Sequence, residues 1–353
     1  MKRKLISGFL LSTLLVSCAP QAPAVTSAPG AGTGQTPAST SAPASPSTAG
    51  DLKKVTVLLD WTPNTNHTGL FVAKEKGYFA EAGLDVDIQT PPQGGSPQLV
   101  AAGKADFGID FQDTLAPALA ADSPLPVTAV AAILQHNTSG IISRKGEGLG
   151  RPKGMEGKKY ATWDNPVEQA IIRNVVEKDG GDYSKVQLIP NNITDEVAAL
   201  KTRQVDSVWI FYGWSGINAQ VSGFDFDYFA FKDLNPVFDY YTPVLIASDR
   251  MIAQDPETVR KFVGAASKGY TFSAQNPQAA AEILLKHAPE LEPTLTQESQ
   301  KWMANQILDP GKPWGQMDAQ RWDGFYRWLW ENQLIQKEIP AGQGFTNDFI
   351  PGQ

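Results

Sequence analysis

Cysteine is almost absent from this 353-residue chain, Cys18 being the only one. No disulfide framework and no thiolate metal site can be assembled downstream of it. Histidine is nearly as scarce: His67, His136 and His287 are the full set, and no nucleophile triad or metal constellation gathers around them. Beyond Lys2, Arg3 and Lys4, basic residues form no long run and no basic aromatic stripe, so nothing resembles a nucleic-acid surface. No glycine-rich loop is followed by Lys and Ser/Thr, so any ATP-driven step belongs to a separate protein. The one long apolar run, 5–16, is too short to span a bilayer. No repeat at a solenoid period appears.

What is present begins with Lys2, Arg3 and Lys4, then that apolar run, then Leu15-Val16-Ser17-Cys18. Basic start, short apolar core and small residue make a secretory signal over 1–17. The last four residues resemble a bacterial lipobox, which makes Cys18 the expected lipidation position. Residues 19–50 carry no charge and consist almost wholly of Ala, Pro, Ser, Thr and Gly. They cannot bury enough apolar surface to offset ordering entropy, so 18–50 is read as a lipid-anchored disordered tether with a reach of about 30 Å. The folded part is therefore expected outside the cytoplasm, beside a membrane that it touches only through the anchor. Without Lys2, Arg3 and Lys4 the net charge of −7 becomes −10, and such a body does not cling to anionic lipid.

About 300 residues remain, enough for two lobes. Strands and helices alternate, which predicts an α/β fold. Strands are expected over 55–59, 86–89, 106–109 and 127–134, with helices over 69–80, 97–102 and 113–120 between them. A second unit is expected from about 145, with strands over 160–162, 186–189 and 207–211 and helices over 167–179 and 194–203. A strand over 239–246 returns to the first unit, followed by helices over 256–275, 277–287, 294–305 and 318–333. This predicts one lobe from 51–144 and 238–353 and another from 145–237. The stripe Trp322, Phe325, Tyr326, Leu329 and Trp330 is packing, and Trp314 reads as a surface plug.

The most informative stretch is 59–83, LDWTPNTNHTGLFVAKEKGYFAEAG. A strand here runs into Asp60-Trp61 and a loop with Asn64, Asn66 and His67, and a helix follows. A carboxylate, an indole, two amides and an imidazole at a helix entrance are costly to bury for packing alone. As a plain connection, Asn66 or Thr68 would cap the helix. Asp110-Phe111 and His136-Asn137 also end strands, and ligands of open α/β sheets sit outside such ends.

Together with Gly103-Lys104-Ala105-Asp106-Phe107-Gly108, Gln135-His136-Asn137-Thr138-Ser139-Gly140 and Asp239-Tyr240-Tyr241-Thr242-Pro243-Val244, this stretch resembles the periplasmic binding proteins of ABC importers that capture the pyrimidine precursor of thiamine. The resemblance covers about 52–340. It implies a type II, two-lobed fold with a two-stranded hinge and a cleft closing on a formylaminopyrimidine or hydroxymethylpyrimidine. It also implies a membrane permease with a separate ATPase as partners, with no cofactor. The chain is expected to be monomeric. An aminopyrimidine offers a flat π-face and a donor–acceptor edge. Trp61, Phe111, Trp163, Trp209 and Tyr212 are the stacking candidates, Asp60, Asp110 and Glu168 the carboxylates, and Asn64, Asn66, His67 and Tyr241 the edge contacts. A flavin is the alternative ligand, since relatives with this opening motif bind one. The same fold family includes a fungal pyrimidine synthase that consumes one of its own histidines, matched by His67. The resemblance implies a cofactor-holding lysine where this chain has Asp110, and a carboxylate forms no Schiff base. The expectation is therefore a binding protein, not an enzyme.

Overall fold

The computed structural model describes residues 52–91 and 95–352. The signal segment, Cys18 and the tether expected over 18–50 lie outside the described residues. The chain opens with β1 (Lys53–Leu58), α1 (Thr68–Glu75), α2 (Tyr78–Glu81), β2 (Leu84–Gln89), α3 (Pro97–Ala101), β3 (Phe107–Asp110), α4 (Gln112–Leu119) and β4 (Val127–Ala132). The single helix expected over 69–80 is two, because Gly77 interrupts it at φ 76°, where a Cβ is disfavoured.

Next come β5 (Ser139–Arg144), β6 (Lys159–Thr162), α5 (Pro166–Lys178), β7 (Gln187–Pro190), α6 (Glu196–Lys201) and β8 (Ser207–Phe211). A π-helical turn, Tyr212–Gly216, leads to α7 (Ile217–Val221), β9 (Phe226–Ala230) and α8 (Phe231–Leu234). After β10 (Val244–Ser248) the rest is helical: α9 (Asp249–Gln254), α10 (Pro256–Gln275), α11 (Pro277–His287), α12 (Pro293–Ile307) and α13 (Ala319–Glu331).

These strands form two five-stranded sheets, ordered β2-β1-β3-β10-β4 and β7-β6-β8-β5-β9. In the first, β1 runs parallel to β2 and β3, while β10 is antiparallel to β3 and β4, with Val244 opposite Asp110. In the second, β6 is parallel to β7 and β8, and β5 is antiparallel to β8 and β9. Helices cover both faces, so β3, β5 and β10 are buried throughout. Phe107 of β3 stacks on Phe262 of α10 at 3.9 Å, and Phe79 adds a third ring at 5.0 Å.

Residues 139–144, expected in the first lobe without a strand, are β5 of the second sheet. Arg144, at the end of β5, is buried, its guanidinium donating to the carbonyls of Leu200 and Val205 at 2.7 and 2.9 Å and pairing with Asp206. Trp314 is no surface plug: it is 2% exposed, stacks on Tyr270 at 4.6 Å, and donates from Nε1 to the Ile133 carbonyl. Trp322, Phe325, Tyr326 and Leu329 of α13 are core, whereas Trp330 is 39% exposed.

The chain crosses between the sheets twice, over 133–138 and 231–243. Asn137 ties the crossings together, donating from Nδ2 to the Phe238 carbonyl at 2.8 Å and from its amide to Asp239 Oδ1 at 3.0 Å. His136 adds a contact to Asp239 at 2.7 Å. So His136 and Asn137, at the end of an expected strand, serve the hinge.

Candidate functional site

The loop after β1 is organised by His67, which is fully buried. Its Nδ1 accepts the Asn64 amide proton at 3.1 Å, so the ring proton sits on Nε2 and donates to Asp60 Oδ1 at 2.6 Å. Asn64 closes the turn, donating from Nδ2 to the Thr62 carbonyl and accepting from the Asn66 amide at 2.9 Å. The expected cap from Asn66 or Thr68 is not made. His67 occupies the cap position of α1, and no side chain bonds there. The loop's polar groups are thus spent on shaping the loop, and they hold Asp60 at its edge.

Asp60, Trp61, Asn64 and Asn66 line one cavity of about 290 Å³, with Phe111, Phe211, Trp214 and Ser215 completing it. A second cavity of about 280 Å³ adjoins it. Its walls are Phe111, Asp113, Thr114 and Tyr240 on one side and Trp163, Asn165, Glu168, Trp209 and Phe211 on the other. Phe111 and Phe211 belong to both cavities and stack on each other at 5.7 Å and 19°. Each lobe also presents one indole to solvent at the cleft: Trp61 is 57% and Trp163 51% exposed. A larger depression, about 730 Å³, lies between α2 and α10, and none of the residues nominated from sequence lines it.

Carboxyls stand on both sides of the second cavity. Burial pushes Asp113, in the first turn of α4, up to about 6, against the opposing pull of the Tyr240 hydroxyl and nearby backbone amides. Glu168 is likewise raised by burial. It accepts from the Tyr160 hydroxyl, from Thr162 Oγ1 at 3.0 Å and from the Trp163 amide at 3.1 Å. With Asn165 it also forms the capping box of α5.

Asp110 lines neither cavity. It is buried at the end of β3, accepts from Thr114 Oγ1 at 2.6 Å, and burial pushes it up to about 7. Tyr241 is buried too: its hydroxyl accepts from the Asp318 amide at 2.7 Å, and the Arg321 guanidinium sits 4.8 Å from its ring. Its neighbour Tyr240 is the one on the cavity wall, backed by Phe325 at 4.1 Å. Tyr212 points away as well. It packs with Tyr228 and Trp302 around a separate cavity of about 350 Å³.

The nominated residues brought to the cleft are therefore Asp60, Trp61, Asn64, Asn66, Phe111, Trp163, Glu168 and Trp209. His67 stands directly behind them, while Asp110, Tyr212 and Tyr241 serve elsewhere. Reading the sequence missed Asp113, Thr114, Asn165, Phe211, Trp214, Ser215 and Tyr240. For Phe211 the signal was available, since side chains alternate along a strand and Trp209 and Phe211 share a face of β8. Asp113 was signalled by an acidic residue in the first turn of a helix that starts at a strand end.

The lobes also touch beside the cleft. Ser299 Oγ of α12 donates to the Gly213 carbonyl, so the 2.6 Å contact with Thr65 has Thr65 Oγ1 donating to Ser299. Gly213 permits this approach, because a Cβ there would collide with Met303 Sδ and lie 3.0 Å from the Trp302 ring.

Two α/β lobes, two crossings and a cleft at the strand ends define a type II periplasmic-binding-protein fold. A solved structure that shares it is the alkanesulfonate-binding protein SsuA from Xanthomonas axonopodis pv. citri bound to MOPS. Its TM-score is 0.63 at 15% identity, covering 84% of this chain and 99% of that one, which speaks for the fold alone. The NMT1/THI5-like family matches residues 64–280, and this chain belongs to it. The formylaminopyrimidine-binding protein of Halalkalibacterium halodurans is 31% identical over 84% of this chain and 90% of its own length. The riboflavin-binding protein RibY of Chloroflexus aurantiacus is 25% identical over 99% of this chain and 98% of its own. Among the described residues no helix is long and apolar enough to cross a membrane, and no group of three or more His, Cys, Asp or Glu could hold a metal ion.

Proposed function

We propose that this chain is the lipid-anchored, extracytoplasmic substrate-binding component of an ABC importer, and that it captures a formylaminopyrimidine or hydroxymethylpyrimidine. The observation that carries the ligand class is the second cavity. It is about one substituted ring in size, has aromatic walls from both lobes, and has the carboxyls of Asp113 and Glu168 on opposite sides. Asp113, pushed up to about 6 by burial, can donate or accept, and Glu168 accepts, which matches the amino and ring-nitrogen edge of an aminopyrimidine. The similarity to a formylaminopyrimidine-binding protein supports the same ligand.

In this reading the first lobe carries 52–132 and 244–352, the second 139–230, and the two crossings act as the hinge. Trp163 and Trp209 close on the ring in the second cavity, Trp61 lines the neighbouring one, and His67 holds the first loop from behind. Cys18 carries the lipid, the monomer docks on a permease, and a separate ATPase drives transport. Catalysis of the synthase kind has no amine to work with, since Asp110 stands where the resemblance implies a lysine.

A flavin is the second reading, favoured by the end-to-end similarity to a riboflavin-binding protein. Tryptophan fluorescence of the purified protein, titrated with formylaminopyrimidine, hydroxymethylpyrimidine, thiamine and riboflavin, separates the two. Quenching that saturates with a pyrimidine supports the proposal; saturation with riboflavin alone overturns it.

A further inference from the structure

The two cavities of the cleft are separated by one contact, and its construction is specific. Phe111 follows β3 and Phe211 ends β8, and these are the middle strands of the two sheets. Each Phe has extended backbone and stands at the cap position of the helical turn that follows, α4 in one lobe and the π-turn in the other. Cap positions favour Ser, Thr, Asp or Asn, whose oxygens satisfy free amides, and here neither side chain makes a cap bond. Both lobes thus give up a cap to set a ring at the centre of the cleft, and the two rings meet.

We propose that the Phe111–Phe211 pair is a size filter. With the rings stacked, the cleft is divided into two chambers of about 280–290 Å³, each at the small end of the roughly 300–1,000 Å³ range of ligand pockets. A single ring with short substituents fits one chamber. Three fused rings fit only by passing between Phe111 and Phe211, which breaks the stack and holds the lobes apart. This rests on the pyrimidine reading and deepens it: the filter sets a one-ring limit on a cleft whose relatives include a flavin binder. Removing one ring merges the chambers.

The test is calorimetric titration of wild type and Phe211→Ala with formylaminopyrimidine, with hydroxymethylpyrimidine and with lumichrome, a flat three-ring probe. Wild type is expected to prefer the pyrimidine by about a hundredfold or more. In Phe211→Ala that preference is expected to fall at least about tenfold, with lumichrome gaining affinity. Phe211→Tyr, which keeps the ring, restores the preference. If Phe211→Ala does not fold, Phe111→Leu opens the same partition from the other lobe. A wild type that prefers the pyrimidine, with a preference unchanged in the variant, overturns the filter alone. A wild type that prefers lumichrome to both pyrimidines, or binds none of the three, overturns the pyrimidine reading and the filter together.

Discussion

Replacing Asp110 by asparagine is expected to relieve a pH-dependent loss of stability. The carboxyl is buried at the end of β3, and burial raises it from 3.8 to about 7. For an acid raised on folding, the folded protein holds a proton that the unfolded chain has already released. Stability therefore falls as pH climbs through this window and is fully reduced above about 7. At about 1.4 kcal/mol per unit, the shift corresponds to roughly 4 kcal/mol. The introduced amide cannot ionise, and its oxygen can still accept from Thr114. In urea unfolding followed by tryptophan fluorescence, Asp110→Asn should match wild type near about pH 4 and exceed it by roughly 2–4 kcal/mol near about pH 8. A difference that stays constant to within about 0.5 kcal/mol across that range would refute the reasoning.

Three further outcomes are expected. His67→Phe keeps the volume but strands the Asp60 carboxylate and the Asn64 amide, so urea unfolding should show a loss of roughly 2–4 kcal/mol; a change below about 0.5 contradicts the buried role. Trp163→Ala removes a ring that is half exposed, so its unfolding midpoint should barely move while pyrimidine affinity drops about tenfold. Unchanged affinity by calorimetry would remove Trp163 from the ligand. Gly213→Ala forces the π-turn off α12 and should cost roughly 1–3 kcal/mol, and less than that when introduced into a Met303→Ala background; an equal cost in both backgrounds would place the strain elsewhere.

Alternating strand and helix patterns reported the two-lobed α/β architecture because each β-α step buries its own apolar set. Of the strand ends expected at the cleft, those at Trp61 and Phe111 line it, whereas His136-Asn137 bonds to the second crossing. β5 escaped notice because Ser139, Gly140 and Ser143 break any apolar alternation, and its partners β8 and β9 arrive 64–90 residues later. Two of the errors at the site are one residue wide. Tyr212 was chosen over Phe211 and Tyr241 over Tyr240, because an aromatic pair at a strand end shows its chemistry without showing its face. A single step along an extended chain reverses that face. His67 and Asp110 were polar groups at strand ends, as any ligand residue there would be. Only their partners, the Asn64 amide with Asp60 and Thr114, assign them to holding the loops. Trp314 sits in a Pro-rich loop, and its burial depends on Tyr270, far away in sequence.

The most direct test of the central claim is calorimetric titration of the full chain with formylaminopyrimidine and, separately, with hydroxymethylpyrimidine. The expected result is one ligand per chain for at least one of them, with an affinity that riboflavin at the same concentration does not reduce. Binding of neither pyrimidine, or displacement of the bound one by riboflavin, would contradict it.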